Sequence, residues 1–207
     1  MTALPPRRIA TSMIARALAV LNVVMLSVAA AGDAVPAVKA KTEEPVLEEL
    51  LGGCSLRCAF RWSVEVTAGT SEQGKAVKFL NDESAQTAWV APDANGGVGT
   101  RFRLLFPKKL PAEMEGAAPV YGLDLINGCW KTEELWEQHA RLKKARLYYN
   151  GKPFCDVQFA DSRRWERLTF PDFFVKSGDS MTLEVLEIFP GKGKPLAITE
   201  IVLQGGH

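Results

Sequence analysis

Oxygen-bearing side chains surround a tryptophan and a glycine-rich turn in the stretch from Leu80 to Phe106. Asp82, Glu83, Asp93 and Asn95 offer the hard oxygen ligands that Ca²⁺ takes in groups of about six to eight. The alternative is that the aspartates cap turns by accepting bonds from backbone N–H groups. We favour the caps. We therefore expect no cofactor and no metal centre, with a structural calcium ion as the alternative left open.

Trp89 lies in the middle of this stretch, between a turn and an apolar strand. Its ring could stack on the C–H face of a sugar or anchor the loop in the core, and its position favours the anchor. It stays among the candidate ligand-binding residues. Glu200, near the end of a later strand, is expected to act with Asp82 in closing this loop onto the sheet. A buried carboxylate there needs a donor, for which Arg101 and Trp89 are the candidates.

A second polar segment with aromatic residues runs from Asn127 to Trp136. It places two tryptophans beside lysine and glutamate side chains, and a few convergent polar groups next to aromatic rings are typical of small-ligand sites. We predict that Asn127, Trp130 and Lys131 bind the ligand, with Trp89 as the fourth candidate.

Residues that could perform catalysis are few. The histidines are His139 and the terminal His207, and no Gly-x-Ser-x-Gly motif occurs, so a Ser/His/Asp hydrolase lacks its parts. Neighbouring carboxylates at Glu133/Glu134 and Glu184/Glu187 leave a glycosidase open, but charged pairs on a solvated face are the ordinary explanation. The basic segment Arg141–Arg146 is likewise read as a solvated strand face. We predict no catalytic residue.

The four cysteines are expected to form disulfides, because the first 31 residues predict export, as argued below. Three pairings are open. We favour Cys54 with Cys58, which enclose three residues, and Cys129 with Cys155, which lie in separate apolar segments. A metal site is not favoured, since no CxxC pair occurs and histidine is scarce.

Residues 1–31 have the features of a secretory signal peptide. Three arginines precede the apolar run Ala17–Ala31, no acidic residue occurs before Asp33, and Ala29-Ala30-Ala31 supplies small residues for cleavage. An uncleaved membrane anchor is the alternative. After cleavage we expect no stable membrane span, a flexible linker over residues 32–44 and a secreted or periplasmic location.

The charge balance argues against a nucleic-acid partner. The chain has 25 Lys and Arg residues against 24 Asp and Glu residues, with no dense basic run interleaved with aromatic residues. The predicted partners are therefore a carbohydrate or a cell-surface protein.

The apolar pattern of the mature chain has a period of two. Phe60, Trp62, Val64 and Val66 alternate with polar residues, which predicts a half-buried strand. Further predicted strands are Arg101–Phe106, Val120–Ile126, Ala145–Tyr149, Phe154–Phe159, Trp165–Phe170, Met181–Ile188 and Ala197–Leu203. Seven or eight short strands separated by Gly, Pro and Asn predict an all-β, antiparallel β-sandwich or jelly roll.

Three shorter signals complete the pattern. Asn150-Gly151 predicts a tight hairpin, and Pro45–Leu51 predicts a helical turn at one end of the core. A short helical insertion is predicted from Thr132 to His139, with Thr132 as its N-cap.

Five short motifs in a fixed order resemble a known family. They are DESAQTAW (82–89), GGVGTRFRLLF (96–106), GLDLINGCWKTEELW (122–136), RLKKARLYYNG (141–151) and EIFPGKGKPLAITEI (187–201). Together they resemble the discoidin-like, coagulation-factor type C module associated with bacterial NAD glycohydrolase translocation. The resemblance runs from about Leu50 to Leu203. CSLRC (54–58) also resembles the cysteine pair that precedes the module in related chains.

The resemblance implies a galactose-binding-like sandwich whose loops at one end bind sugars, lipid headgroups or protein surfaces. It does not imply NAD hydrolysis, which belongs to a separate domain that we do not expect here. The chain departs from the family pattern at Thr100, Cys129 and His139, so the family's ligand preference does not carry over directly.

These observations predict a signal peptide (1–31), a linker (32–44) and a discoidin-like sandwich domain (45–207). The predicted function is an exported, non-enzymatic module that recognises a carbohydrate or cell-surface ligand through loops at one end. The alternative is a structural or assembly protein of the cell envelope that contacts another protein. An enzyme acting on glycans is a third hypothesis.

Overall fold

The residues that alternate between apolar and polar form strands. The computed structural model describes residues 37–39, 41–43, 63–67, 77–92, 96–110 and 117–205. Its strands are β1 (Ala37–Lys39), β2 (Lys41–Glu43), β3 (Ser63–Thr67), β4 (Trp89–Val90), β5 (Arg101–Leu105), β6 (Ala117–Asn127), β7 (His139–Tyr149), β8 (Lys152–Gln158), β9 (Trp165–Lys176), β10 (Ser180–Phe189) and β11 (Lys194–Gly205). A 3₁₀ helix spans Val77–Asn81, and the helix α1 spans Glu133–Gln138. All of these belong to one unit, residues 34–207.

The strands form two sheets that pack as a β-sandwich, which confirms the predicted fold class. The first sheet has the order β3-β5-β10-β7-β8-β1, and the second has the order β2-β9-β6-β11-β4. Most neighbours are antiparallel. A short parallel pairing of β7 with β11, at Lys194↔His139 and Leu196↔Ala140, joins the two sheets at one end.

Cross-strand rows of apolar side chains fill the space between the sheets. In the first sheet Phe102, Leu183 and Leu147 lie side by side and are almost fully buried. In the second sheet Leu203, Leu123 and Leu168 form a matching row. Burying a side chain of this size contributes about 1.5–3 kcal/mol, so the alternation seen in the sequence is also what holds the sandwich together.

The predicted hairpin and helix are both present. Asn150 and Gly151 connect β7 to β8 with φ angles of 48° and 78°, the left-handed conformations that a two-residue turn of this kind requires. The Thr132 hydroxyl accepts a hydrogen bond from Leu135 N at 3.1 Å and so caps α1. Glu133 and Glu134 lie in its first turn, where the helix dipole favours negative charge.

Two short strands lie where the sequence predicts a flexible linker. β1 pairs in parallel with β8, and β2 pairs antiparallel with β9. The backbone N–H and C=O groups at the edges of β8 and β9 gain partners in this way, which a composition-based linker prediction does not take into account. The predicted signal peptide and the Pro45–Leu51 turn lie outside the described residues.

The predicted disulfide between Cys129 and Cys155 is wrong, because both thiols are free and buried. Cys155 lies in β8 of the first sheet, opposite Leu147, whereas Cys129 follows Gly128 at the end of a strand of the second sheet. Burial raises the pKa of the Cys155 thiol to about 12, so it stays protonated. Cys54 and Cys58 lie outside the described residues.

The described part of the chain includes no helix with the length and hydrophobicity needed to cross a membrane.

Candidate functional site

Four chain connections meet at one end of the sandwich, which we call the Trp136 end. They are residues 96–99, 128–138, 159–164 and 190–193. Backbone hydrogen bonds hold them to the strands and to each other. Leu196 N donates to Gly96 O at 2.8 Å, Gly128 N donates to Ala197 O at 3.1 Å, and Lys192 N donates to Glu137 O at 3.1 Å. Backbone contacts therefore fix the position of these connections relative to β11 and to α1.

The fully buried amide of Asn127 ties the two sheets together at this end. Its Oδ1 accepts from Leu142 N, and its Nδ2 donates to Leu142 O, both at 2.8 Å. Asn127 is the last residue of β6 in the second sheet, and Leu142 belongs to β7 in the first. The Asn127 side chain therefore makes the two hydrogen bonds to Leu142 that a neighbouring strand would otherwise make. The amide satisfies two backbone groups that would otherwise be buried without partners.

The main-chain carbonyl of Asn127 organises the connection that follows. It accepts hydrogen bonds from the indole N–H groups of Trp130 and Trp136, each at 3.0 Å. Thr199 of β11 accepts from Trp130 N at 3.1 Å and donates to Gly128 O at 2.8 Å. Trp130 is 8% exposed and Trp136 is half-buried. Both rings are thus fixed in place by polar contacts as well as by packing.

Glu166 is a fully buried carboxyl between three elements. Its Oε2 accepts from Ala160 N at 2.7 Å, and its Oε1 accepts from Asn127 Nδ2 at 3.2 Å. Burial raises the pKa of Glu166 to about 7, because the charged form loses its hydration, and the two hydrogen bonds only partly offset this. Glu166 therefore links loop 159–164 to the end of β6.

Two arginines cover the tryptophan rings. The Arg141 guanidinium lies 4.5 Å from the centre of the Trp136 ring and forms a two-pronged ion pair with Asp161 at 2.8 and 3.0 Å. The Arg163 guanidinium lies 5.3 Å from the centre of the Trp130 ring and donates to Trp130 O at 2.9 Å. Stacking and bidentate contacts hold these planar groups in defined orientations.

His139 contributes to the structure of this end. Its side chain is buried, and Nδ1 lies 3.0 Å from Pro195 O, so this nitrogen carries the proton that is donated to the carbonyl. Burial lowers the pKa of His139 below its ordinary value. The imidazole is therefore neutral at neutral pH and engaged with the backbone.

The structure brings the predicted ligand-binding residues close together but buries three of them. Trp89 pairs with Ile198 of β11, and Gly128, next to Asn127, bridges the same Ile198. Trp89 is fully buried, with its ring edge-to-face on Phe102 at 4.8 Å. Asn127 and Trp130 are buried as well, and Lys131 is exposed. Ligand contact by these residues stays a prediction, for which Lys131 has the solvent access.

The residues expected to close the first loop have separate roles. Asp82 is exposed and accepts from Ser84 N at 3.2 Å and from the Thr87 hydroxyl at 2.8 and 3.0 Å, so it caps its own turn. Glu200 is fully buried in β11 opposite Ile126. Arg101 pairs with Glu184 at 3.1 Å.

The alternative of a structural calcium ion concerns oxygen-bearing side chains of the same loop. Asp93 and Asn95 lie outside the described residues. Within the described ranges, no three His, Cys, Asp or Glu side chains come together in a way that could hold a metal ion.

Sequence reasoning missed Glu166, Asp161 and Arg163 as parts of this end. Glu166 lies in a strand between Trp165 and Arg167, and nothing in the local pattern shows that a charged side chain faces inward there. Trp136 and the basic segment that begins at Arg141 are visible in the sequence, but the stacking of Arg141 on Trp136 depends on a contact between a helix and a strand. Such a contact has no signal in the spacing of residues.

Comparisons with known proteins agree with this architecture. Residues 59–204 match the model of the NAD glycohydrolase translocation F5/8 type C domain. A structure of the CBM32-1 and CBM32-2 domains of Clostridium perfringens ZmpB in complex with GalNAc is similar, with a TM-score of 0.52 at 7% identity over 84% of this chain and 40% of that one.

A structure of the CBM32-1, CBM32-2 and M60 catalytic domains of the same protein gives a TM-score of 0.54 at 7% identity, over 86% of this chain and 17% of that one. At this identity the likeness concerns the fold, and the chain spans well under half of either structure. No curated protein matches the chain. The family match covers most of the chain, and the chain belongs to the NAD glycohydrolase translocation F5/8 type C domain family.

Proposed function

We propose that the protein is a non-catalytic binding module that recognises a carbohydrate through the exposed side chains of the Trp136 end. One observation carries the proposal: the polar groups there fall into two sets. The buried set, Asn127, Glu166 and His139, is used in hydrogen bonds that hold the connections. The exposed set, which includes Lys131, Asp161 and Arg163, forms a rim with donors and acceptors facing solvent.

The buried set argues for binding rather than catalysis. A general acid or base must reach the substrate's proton within a hydrogen-bond distance. Glu166 is fully buried with both oxygens engaged, and His139 is buried against a backbone carbonyl. Glu166 and His139, whose pKa values are shifted by burial, therefore stabilise the structure of this end and are not placed to exchange a proton with a substrate.

The exposed rim suits a polyhydroxylated ligand. Guanidinium and carboxylate groups present paired donors and paired acceptors, which match neighbouring sugar hydroxyls. Arg163 is held by its contact with Trp130, and Asp161 is held by Arg141. Such preorganisation lowers the entropy that a ligand loses on ordering the site. The GalNAc complex of a structural neighbour with the same fold supports a sugar as the first ligand class to test.

A glycan array, followed by titration calorimetry, tests the proposal. We expect the folded protein to bind at least one glycan class, and Arg163→Ala to weaken that binding at least fivefold. Lys152→Ala, which removes an exposed lysine from the hairpin at the opposite end, should leave the affinity unchanged. If no glycan binds, or if both variants behave alike, the sugar proposal is contradicted.

An exposed apolar group favours a second candidate, a contact with another protein. Phe174 is 60% exposed and Tyr121 is 40% exposed, and Phe174 lies opposite Pro119 on the outer face of the β6–β9 pair. Exposed aromatic groups of this kind often mark protein contacts. Capture of envelope proteins by the wild type but not by Phe174→Ser, together with no glycan affinity, would favour an assembly role.

The location is part of the same proposal. The basic, then apolar, leader of residues 1–31 supports export to the periplasm or the exterior. Mass spectrometry of protein from the host's exported fraction would test it. We expect an N-terminus just after Ala31, and an intact Met1 in that fraction would contradict cleavage.

A further inference from the structure

A buried carboxyl controls how loop 159–164 is attached to the Trp136 end. Glu166 of β9 accepts from Ala160 N, at the start of the loop, and from the amide of Asn127, at the end of β6. The loop then carries Asp161 to Arg141 and Arg163 to the Trp130 carbonyl. The Glu166 side chain has no exposed surface, so movement of these groups would bring its carboxyl into contact with water.

Among the residues that the structure describes, none contributes a positive charge that lowers the pKa of Glu166. From β6 it faces the neutral Asn127 amide, with Leu125 as its cross-strand partner, and from β2 its cross-strand partner is Thr42. The charged group that acts on it from the loop is the carboxylate of Asp161, which has the same sign. Arg141 of β7 donates hydrogen bonds to Asp161, and the His139 ring is hydrogen-bonded to the Pro195 carbonyl.

We propose that Glu166 is a proton-sensitive clasp: its protonated form keeps loop 159–164 closed on the Trp136 end, and the loop opens more often as the pH rises towards neutral. The reason is that a carboxylate without a cationic partner gains hydration when the loop opens, whereas the neutral acid gains little. The clasp belongs to the fold and does not depend on which ligand the end binds.

Linkage gives the sign and the range. The closed state holds the proton of Glu166 up to a pKa of about 7, and a solvated glutamate has an ordinary value of 4.5. Between these values the closed state binds more protons than the open state, so opening increases by at most about tenfold per pH unit. Below pH 4.5 and above pH 7 the dependence levels off, because both states then have the same protonation.

The consequence for recognition rests on the proposed function. Asp161 and Arg163 belong to the exposed rim, and both are carried by the loop that the clasp holds. A ligand that needs them in their closed positions binds more tightly at pH 5 than at pH 7.5. A failure of glycan binding leaves the clasp untouched, since its test uses no ligand.

Native-state hydrogen exchange of the Ala160 amide on the full chain tests the clasp. After correction for intrinsic exchange, we expect the opening constant of this amide to rise at least tenfold from pH 5 to pH 7. The amide of Asn150, which donates to Ser180 O at the opposite end, should show no such rise. A flat profile at Ala160, or an equal rise at both amides, would overturn the proposal.

Two variants and one titration complete the test. Glu166→Gln should remove the pH dependence at Ala160, and its persistence would overturn the proposal. Asp161→Asn should keep the dependence but move it to lower pH, because the charge of Asp161 raises the pKa of Glu166; loss of the dependence would assign it to Asp161 instead. If Glu166→Gln does not fold, the pKa of Glu166 is measured directly in the folded wild type by carbon-detected NMR of its carboxyl group. A titration midpoint near 4.5 contradicts the clasp.

Discussion

The amide of Asn127 shows how one polar side chain can define a protein surface from underneath. It gives β7 the hydrogen bonds of a missing strand neighbour, while its own carbonyl receives two indole N–H groups. The side chain is fully buried. Its contacts therefore set the position of the connection that begins at Gly128.

Replacing Asn127 with alanine should destabilise the fold strongly. Asn127→Ala leaves the buried N–H and C=O of Leu142 without partners, at a cost of about 1–3 kcal/mol for each group. We expect a loss of roughly 2–5 kcal/mol in the free energy of unfolding, measured with urea. Gln158→Ala removes an exposed amide from β8 as the control and should change stability by less than about 0.5 kcal/mol. Equal effects would contradict the role of Asn127.

At this scale the sequence predicted the neighbourhood but not the exposure. Asn127, Trp130 and Lys131 do lie together, because they follow one another in the chain. The burial of Asn127 and Trp130 depends on Thr199, Leu142 and Glu166, which are distant in sequence and are brought in by strand pairing. The wrong disulfide has a similar origin, since Cys129 and Cys155 belong to segments whose partners are set by strand pairing, which their spacing in the sequence does not show.

The connection from β6 to α1 depends on a glycine that has no room for a side chain. Gly128 has a φ angle of 88°, and a Cβ atom added there would lie 2.5 Å from Trp136 Cδ1. The glycine thus lets Trp136 pack against the backbone while the chain turns away from the strand.

A pair of glycine substitutions separates the packing effect from the backbone effect. Gly151 also has a positive φ angle, of 78°, but a Cβ atom added there would have no other atom within 4 Å. Gly151→Ala should therefore lower the free energy of unfolding only by the backbone strain, about 1 kcal/mol. Gly128→Ala adds the clash with Trp136 and should cost about 1–3 kcal/mol more. Thermal unfolding, with Trp fluorescence as the probe, measures both. Similar melting temperatures for the two variants would show that Trp136 does not pack there.

Elements with a local signal were predictable, and those without one were not. The period of two gave the long strands, Asn150-Gly151 gave the hairpin, and Thr132 gave the start of α1. β1, β2 and β4 have only two or three residues each, and they are strands because a neighbouring edge offers hydrogen bonds. No short polar segment such as Lys41–Glu43 shows this in its own composition.

For the molecule as a whole, Glu166 should make stability depend on pH. Its pKa is higher in the folded state, at about 7, than the ordinary 4.5, so its contribution is fully present below pH 4.5 and is lost as the pH rises to about 7. His139 acts in the opposite direction, because burial lowers its pKa and folding becomes less favourable as the pH falls below its ordinary 6.5.

Comparing the wild type with Glu166→Gln isolates the carboxyl, because the contribution of His139 is the same in both. We expect the free energy of unfolding of the wild type, relative to the variant, to fall by roughly 1–3 kcal/mol between pH 4.5 and pH 7 and to stay constant above it. Urea unfolding at half-unit intervals measures this. A difference that is constant across the range, or that increases with pH, would show that Glu166 has no raised pKa.

The most direct measurement of the central claim is a chemical-shift map of the isotope-labelled protein with the strongest binder from the glycan array. The proposed function predicts changes at Lys131, at the Trp136 indole N–H and at Asp161–Arg163, with no change at Asn150 and Gly151 of the opposite end. Changes confined to the hairpin, or to the outer face around Tyr121 and Phe174, would contradict recognition at the Trp136 end.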